Sequence, residues 1–121
     1  PLQIAKIIID QKILKKNGAI FFTSSIAASK NYVGNAYYSI AKNSLELAGK
    51  ILAIEQRKRG IRINIMSIGA IKNTMGMSVT RYLNKTAQKK IKFINMSKVV
   101  NKIQKYLKNK NINQKKINLD D

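Results

Sequence analysis

The chain has 121 residues and a formal net charge of +19, with 24 lysines and arginines against five aspartates and glutamates, and at this length it forms at most one domain. It contains neither cysteine nor histidine, which excludes disulfides, thiolate or imidazole metal ligands and histidine-based catalysis. Its apolar runs are far shorter than the roughly 18 residues of a membrane span and no signal sequence is recognisable, so we expect a cytoplasmic protein.

The first predicted element is an amphipathic helix. Ala5, Ile9 and Ile13 follow one another at i, i+4 and i+8 and form an apolar stripe. The cationic, glycine-containing segment 15–18 (KKNG) is typical of a helix end. The sequence therefore predicts a helix that packs one face against a core and ends in this segment.

A buried strand follows. Residues 19–24 (AIFFTS) are apolar, partly β-branched and aromatic, which predicts a parallel strand with Ser25 at its carboxyl end. Ligands of open α/β sheets bind outside the carboxyl ends of the strands, so the Ser25 hydroxyl is placed to meet a substrate. Strand alternation turns Ser24 to the opposite face, where we expect a hydrogen-bonded core hydroxyl.

The next predicted helix begins near Tyr37 or Tyr38 and runs to about Lys58, with Tyr37 packed at its start. Tyr38 and Lys42 are four residues apart, so they lie on one face within side-chain reach. A free phenol ionises only near pH values of about 10, and an adjacent ammonium group stabilises its phenolate. The pair is therefore suited to proton transfer, with Ser25, thirteen residues before the tyrosine, to hold a substrate oxygen.

The tyrosine-lysine spacing by itself carries little information in a lysine-rich chain. Tyr106 and Lys110 have the same spacing, and the residue thirteen positions before Tyr106 is Phe93, with nothing around it that resembles an active site. The prediction therefore depends on the strand, the serine and the helix together.

Two further strands, one helix and a long intervening segment complete the predicted elements. Apolar patterns predict the strands at 61–67 and 117–119 and the helix at 97–108. The intervening segment, 73–95, holds apolar residues that either line a substrate pocket under a mobile lid or form the buried side of two short helices: Met75, Met77, Val79, Tyr82 and Leu83. The pattern leaves both alternatives open.

Ser25, Tyr38 and Lys42, together with segment 60–69 (GIRINIMSIG), resemble the active-site half of the short-chain dehydrogenase/reductase family. The resemblance extends over essentially the whole chain. It implies an α/β fold: the carboxyl-terminal half of a Rossmann-like doubly wound parallel sheet, with three strands and flanking helices, as one partial domain over residues 1–121. None of the six glycines forms the GxGxxG turn that binds the nucleotide phosphates, so we expect the amino-terminal nucleotide-binding half to be missing.

The resemblance also implies a role for each site residue. Tyr38 would be the general acid/base, Lys42 would assist it and bind the nicotinamide ribose, and Ser25 would orient the substrate oxygen. Ile68 stands where the family usually has a proline. The residues expected to contact an NAD or NADP cofactor are Tyr38, Lys42, Gly69, Ile71 and Thr74, and no metal is expected.

The strongly basic composition raises the question of an acidic partner. Lys16 and Arg59 fall where 3-oxoacyl-[acyl-carrier-protein] reductases, a branch of this family, carry basic residues that dock the acidic acyl carrier protein. The alternative is that AT-rich coding bias has filled solvated surfaces with lysine. No nucleic-acid-binding motif is recognisable, so we expect neither nucleic acid nor membrane as a partner.

Two functions are therefore predicted as alternatives. In the first, the protein is an NAD(P)-dependent oxidoreductase, of the 3-oxoacyl-[acyl-carrier-protein] reductase type found in fatty acid biosynthesis, and forms homo-oligomers when full length. In the second, the chain is a non-catalytic remnant or a half-domain that needs a separate nucleotide-binding partner. Ile68, and Thr74 one position late, favour the second. The isolated chain is expected to be inactive in both.

Overall fold

The computed structural model describes residues 1–30, 32–74, 76–86, 91–109, 111–113 and 116–119. Within these ranges the elements are, in chain order, α1 (Leu2–Asp10), β1 (Ala19–Ser25), α2 (Ala36–Glu55), β2 (Arg62–Ile68), β3 (Ala70–Ile71), α3 (Gly76–Thr86), β4 (Phe93–Ile94), α4 (Met96–Lys108) and β5 (Lys116–Leu119). Short 3-10 turns follow β1 and α2. In the described part of the chain, no helix has the length and apolar character needed to cross a membrane.

Strands β1, β2 and β5 form a parallel sheet in the order β1-β2-β5. The register pairs Ser25 with Ile68 and Ile68 with Leu119, so the three strands end at the same edge of the sheet. The middle strand, β2, is covered on both faces, and its Ile63 and Ile65 are completely buried. A parallel sheet buried on both sides is typical of α/β proteins, which confirms the predicted fold class.

Helices pack on both faces of this sheet. On one face, α1 and α2 bury an apolar cluster with β1 and β2 made of Ala5, Ile9, Phe22, Leu45, Ala53, Ile61 and Ile63. On the other face, Val99 of α4 packs in a second cluster with Met66 and Ile117. The layers are therefore helix, sheet and helix, as the doubly wound arrangement predicts.

Helix α2 approaches the sheet closely at Gly49. A Cβ atom at this position would lie 3.0 Å from Cδ2 of Phe22 and 3.2 Å from Cγ1 of Ile65. Glycine has no Cβ, so the helix backbone can come this near to β1 and β2. The contact sets the depth at which α2 sits on the sheet.

The predicted extent of the first helix is wrong. Helix α1 ends at Asp10, and Ile13 is 58% exposed instead of extending the apolar stripe of Ala5 and Ile9. The end is a Schellman motif: Lys12 has φ 54°, its N–H bonds to the Ile9 carbonyl, and the next N–H bonds to the Ile8 carbonyl. A lysine in this left-handed position is not a recognisable stop signal, so the sequence pointed to the later glycine instead.

The second helix begins one or two residues earlier than predicted and ends earlier too. It starts at Ala36 and stops at Glu55 rather than Lys58, because the chain tightens into a 3-10 turn before Gly60, whose φ is 67°. The predicted packing of Tyr37 is wrong, because its side chain is 91% exposed on the face of α2 that points away from the sheet.

Segment 73–95 contains one described helix, α3, and a two-residue strand, β4. Strand β4 pairs in parallel with β3, so that Ala70 aligns with Phe93 and Ile71 with Ile94. This pairing was not predicted, because two residues are too few to show an alternation of polar and apolar side chains. It holds the segment beside the edge at which β1 and β2 end.

Candidate active site

A pocket of about 490 Å³ opens at the edge of the sheet where β1 and β2 end. Its wall combines the end of β1, the start of α2, the loop after β2 and one face of α3. The predicted site residues that line it are Ser25, Tyr38, Gly69, Ile71 and Thr74. The fold thus brings together residues that were predicted from separate parts of the sequence.

Ser25 is the last residue of β1 and begins the 3-10 turn that follows. Its backbone is extended, with φ −143° and ψ 154°, and its Oγ accepts a hydrogen bond from the Ala27 N–H at 3.2 Å. This bond uses an acceptor site of the hydroxyl and leaves its hydrogen to be donated. Ser25 can therefore donate a hydrogen bond to an oxygen atom in the pocket.

Tyr38 and Lys42 lie one turn apart at the start of α2. The Lys42 Nζ is 5.7 Å from the centroid of the Tyr38 ring, within the range of a cation-π contact. The same Nζ donates a hydrogen bond of 3.1 Å to the carbonyl of Thr23 in β1. Lys42 is not among the described residues that line the pocket. Its positive charge is therefore linked to the pocket through its contact with the Tyr38 ring.

The loop after β2 supplies the predicted cofactor residues. Gly69 and Ala70 line the pocket directly after β2, and Ile71 lies in β3. The Thr74 Oγ1 donates a hydrogen bond of 3.0 Å to the Ile71 carbonyl and closes the turn through Asn73, whose φ is 58°. The backbone of Ile71 and the hydroxyl of Thr74 are therefore held together in one part of the pocket wall.

Helix α3 forms the apolar side of the pocket. Val79 and Leu83, one turn apart, line it together with Ile91, and Leu83 is buried. Of the other apolar residues predicted for this segment, Tyr82 is 68% exposed and Met77 does not line the pocket. Met75 lies outside the described residues.

Several pocket residues were missed by the sequence analysis, among them Tyr32, Asn35 and Thr80. Thr80 lies four residues after Gly76 and three before Leu83, which is the spacing of a single helix face, so the helical period of α3 could have revealed it. Tyr32 and Asn35 lie in the loop before α2, where no periodic signal exists. No three acidic side chains of the described residues come together as a metal site.

Lys16 and Arg59, the predicted docking residues, lie near each other at the opposite end of the strands. Both are exposed, and a Cβ atom built on Gly60, the neighbour of Arg59, would lie 3.1 Å from Cγ of Lys16. The Arg59 guanidinium donates to the carbonyl of Ile9 and to Gln56 Oε1, each at 3.0 Å. Because these residues precede β1 and β2, they lie about 20 Å from the pocket along the strands.

Comparison with known proteins identifies the family. Residues 2–105 match the family model described as enoyl-(acyl carrier protein) reductase. The chain belongs to the short-chain dehydrogenase/reductase family. This confirms the resemblance on which the site residues were predicted.

Individual members of the family agree with this result. The chain is 32% identical over 78 residues to carbonyl reductase family member 4 of Xenopus tropicalis, a match that covers 64% of the chain and 33% of the relative. It is 31% identical over 93 residues to a 3-oxoacyl-[acyl-carrier-protein] reductase of Buchnera aphidicola, a match that covers 73% of the chain and 38% of the relative. A short-chain dehydrogenase of Burkholderia cenocepacia, solved in complex with NADP, superposes with a TM-score of 0.70 at 20% identity over 88% of the chain and 46% of that structure. The matched part of the chain therefore spans between a third and just under half of the length of these three proteins.

Proposed function

We propose that this chain supplies the proton-transfer site and substrate pocket of an NAD(P)-dependent oxidoreductase that interconverts a carbonyl compound and an alcohol. The observation that carries the proposal is the shared pocket of Ser25 and Tyr38 at the carboxyl ends of β1 and β2, with the Lys42 ammonium beside the tyrosine ring. Residues 1–121 would be the carboxyl-terminal half of the complete domain.

The reaction assigns a distinct task to each of these side chains. Ser25 donates a hydrogen bond to the substrate oxygen and so fixes the carbonyl group in the pocket. Tyr38 gives its proton to the same oxygen during reduction and takes it back during oxidation. Lys42 places a positive charge beside the ring, which compensates the negative charge left on the tyrosine oxygen. The cofactor, when bound, supplies or accepts the hydride.

The residues around the pocket fit the nicotinamide end of NAD(P). The wall combines apolar side chains with the hydroxyls of Tyr38 and Thr74 and with the backbone of Gly69 and Ile71, a mixture suited to a flat ring with polar substituents. The Lys42 ammonium has three hydrogens and donates to the Thr23 carbonyl, so it has donors to spare for a ribose hydroxyl. The glycine-rich phosphate turn does not occur in these 121 residues and would come from another segment.

The finer proposal is that the substrate is a 3-oxoacyl group on an acyl carrier protein. Its support is the likeness to the Buchnera reductase and the apolar wall of Val79 and Leu83, which suits a hydrocarbon chain. Lys16 and Arg59 form an exposed basic pair that an acidic carrier could contact. Their position requires the acyl chain to pass along the sheet or to enter the pocket of another copy.

We also propose that the complete protein forms homo-oligomers. The outer face of α2 carries a row of exposed apolar side chains at alternating spacings of three and four residues: Tyr37, Ile40, Leu47, Ile51 and Ile54, with Ser44 in the same row. This is the pattern by which helices pack against each other in bundles. A cytoplasmic location stays a prediction.

The alternative function is a half-domain that acts only with a separately supplied nucleotide-binding partner. Ile68, in place of the proline usual in the family, favours it. Strand β1 lies at the edge of the described sheet and offers backbone groups to a further strand, which in this arrangement would come from the partner. Reconstitution from two separately expressed halves would distinguish this arrangement from a continuous chain.

The deciding experiment is Tyr38→Phe in the protein that joins this chain to its nucleotide-binding half. Loss of the phenol hydroxyl should lower ketone reduction by about 100-fold or more, because the proton donor is removed, while NADPH binding, followed by its fluorescence, persists. Retained turnover would refute the assigned role of Tyr38.

A further inference from the structure

Helix α2 carries a buried carboxylate on the side that faces the sheet. Glu46 is only 5% exposed, although its neighbours Leu45 and Gly49 belong to the apolar packing of α2 on β1 and β2. A carboxylate in such a position is unfavourable unless hydrogen bonds replace the water it has lost. Ser24, 3% exposed, provides one, because its Oγ donates to Glu46 Oε1 at 2.8 Å.

This hydrogen bond joins the neighbours of two reacting residues. Ser24 directly precedes Ser25 in β1, and Glu46 lies one helical turn after Lys42 in α2. The Ser24 Oγ also lies 3.5 Å from the Lys42 carbonyl. A second tie runs one residue earlier along the strand, where the Lys42 Nζ donates to the Thr23 carbonyl. Consecutive residues at the end of β1 are therefore bonded to one turn of α2.

Polar and apolar contacts constrain α2 in different ways. The approach at Gly49 sets how deep the helix lies on the sheet, but apolar contacts have no preferred direction and constrain a small shift of the helix along its own axis less sharply than a hydrogen bond does. The bond from Ser24 to Glu46 is directional, and stretching it weakens it steeply. A shift of α2 by one residue along its axis moves Tyr38 by about 1.5 Å relative to Ser25.

We propose that Ser24 and Glu46 form a positioning pair that fixes Tyr38 and Lys42 relative to Ser25. Neither residue of the pair lines the described pocket, so the pair acts through its neighbours and not on the substrate. The inference rests on the proposed function, because the relative position of the three side chains matters for turnover only if they act on one substrate.

The test compares four variants in the complete enzyme with NADPH and a ketone. Glu46→Leu and Ser24→Ala each remove the hydrogen bond and should lower kcat at least about tenfold, since displacements near 1 Å cost that much or more. KM for NADPH should change little. Glu46→Gln keeps an oxygen that accepts from Ser24 and should retain kcat within about twofold. The double variant Ser24→Ala with Glu46→Leu should be no slower than Glu46→Leu alone.

Leu45→Ala is the matched control. Leu45 is buried beside Glu46 in the same helix but bonds to no reacting segment, so its truncation should lower Tm and leave kcat unchanged at temperatures where the enzyme is folded. If Glu46→Leu fails to fold, Ser24→Ala alone tests the role of the pair, because it removes only one hydroxyl group.

Two results would overturn the inference. One is a fall in Tm without a fall in kcat for Glu46→Leu and Ser24→Ala, as for Leu45→Ala. The other is a Glu46→Gln variant as slow as Glu46→Leu. Either result leaves the proposed function intact as long as Tyr38→Phe abolishes turnover, whereas an active Tyr38→Phe variant contradicts the proposed function itself.

Discussion

The Lys42 Nζ lies 5.7 Å from the centroid of the Tyr38 ring, one turn earlier on α2. Its bond to the Thr23 carbonyl holds it between the helix and the edge strand β1. The charge of the lysine is thereby kept beside the aromatic ring by a contact with the sheet, in addition to the helical spacing. This relationship leads to the first prediction.

Lys42→Met should lower kcat for ketone reduction by about 100-fold, since it removes the positive charge that compensates the negative charge on the tyrosine oxygen after proton transfer. Lys42→Arg should recover part of this loss, because the charge is kept while its position changes. Lys50→Met, at an exposed position of the same helix, is the control and should leave kcat unchanged. Steady-state kinetics with NADPH measures all three, and equal kcat for Lys42→Met and the control contradicts the role.

Gly49→Ala should destabilise the protein by up to about 2 kcal/mol. The new methyl group would meet the Phe22 ring at 3.0 Å and Cγ1 of Ile65 at 3.2 Å, a steric cost of about 1–3 kcal/mol, and the gain of up to about 1 kcal/mol that alanine brings to a helix interior offsets part of it. The free energy of unfolding from a denaturant titration measures it. Gly76→Ala is the matched control: among the residues that the structure describes, its Cβ would meet only the Thr74 Oγ1, at 3.7 Å, so it should be neutral or slightly stabilising.

Leu83→Asn should raise KM for an apolar ketone about tenfold, since it replaces a buried part of the pocket wall with an amide. KM for NADPH should stay nearly constant. Tyr82→Asn changes the adjacent, exposed residue of α3 and should have no effect on either constant. A matching rise in KM for both variants would show that α3 acts through its stability and not through its buried face.

Leu47→Glu combined with Ile51→Glu should dissociate the proposed oligomer, because both changes put charges into the apolar row on the outer face of α2. Folding should be preserved, since both side chains are exposed. Lys50→Glu is the control, because it introduces a glutamate into the same helix outside that row. It should not alter the mass of the oligomer. Sedimentation velocity measures the outcome, and an unchanged mass for the double variant excludes this face as the interface.

Lys16→Glu should weaken binding of an acidic acyl carrier protein about tenfold and leave turnover of a small free ketone unchanged. It is preferred to a change at Arg59, whose guanidinium also holds the end of α1 through the Ile9 carbonyl. Lys98→Glu, at an exposed position of α4, makes the same change in net charge. Equal carrier affinity for the two variants would rule out Lys16 as a docking residue.

Much of the fold could be predicted because its central elements have strong local signals. Strand β1 extends one residue beyond its prediction, to Ser25, β2 is shifted by one residue at both ends, and β5 and α4 each begin one residue earlier than predicted. Buried parallel strands read as short apolar runs, and α4 repeats its apolar residues with the helical period. The errors fall where a non-glycine residue takes a left-handed conformation, as Lys12 does, where a helix passes into a 3-10 turn, as after α2, or where pairing is too short to leave a pattern, as in β3 and β4.

The site was predictable only in part, because some of its contacts are set by tertiary structure. Ser25, Tyr38 and Lys42 carry a recognisable spacing, whereas Tyr32 and Asn35 reach the pocket from a loop without periodicity. The bond between Ser24 and Glu46 links residues on two elements. The sequence predicts that Ser24 is hydrogen-bonded, but only the packing of α2 on β1 identifies its partner.

The proposed reacting groups of the pocket and its main apolar wall come from separate stretches of the chain. The former lie in one run of residues, from the end of β1 to the first turns of α2, while the apolar wall comes mainly from α3, well downstream. Under the proposed function, substitutions in α3 would alter the size and polarity of the pocket without disturbing the groups assigned to proton transfer. Such a division would allow the preference for one carbonyl compound over another to diverge during evolution while the proposed reaction is kept.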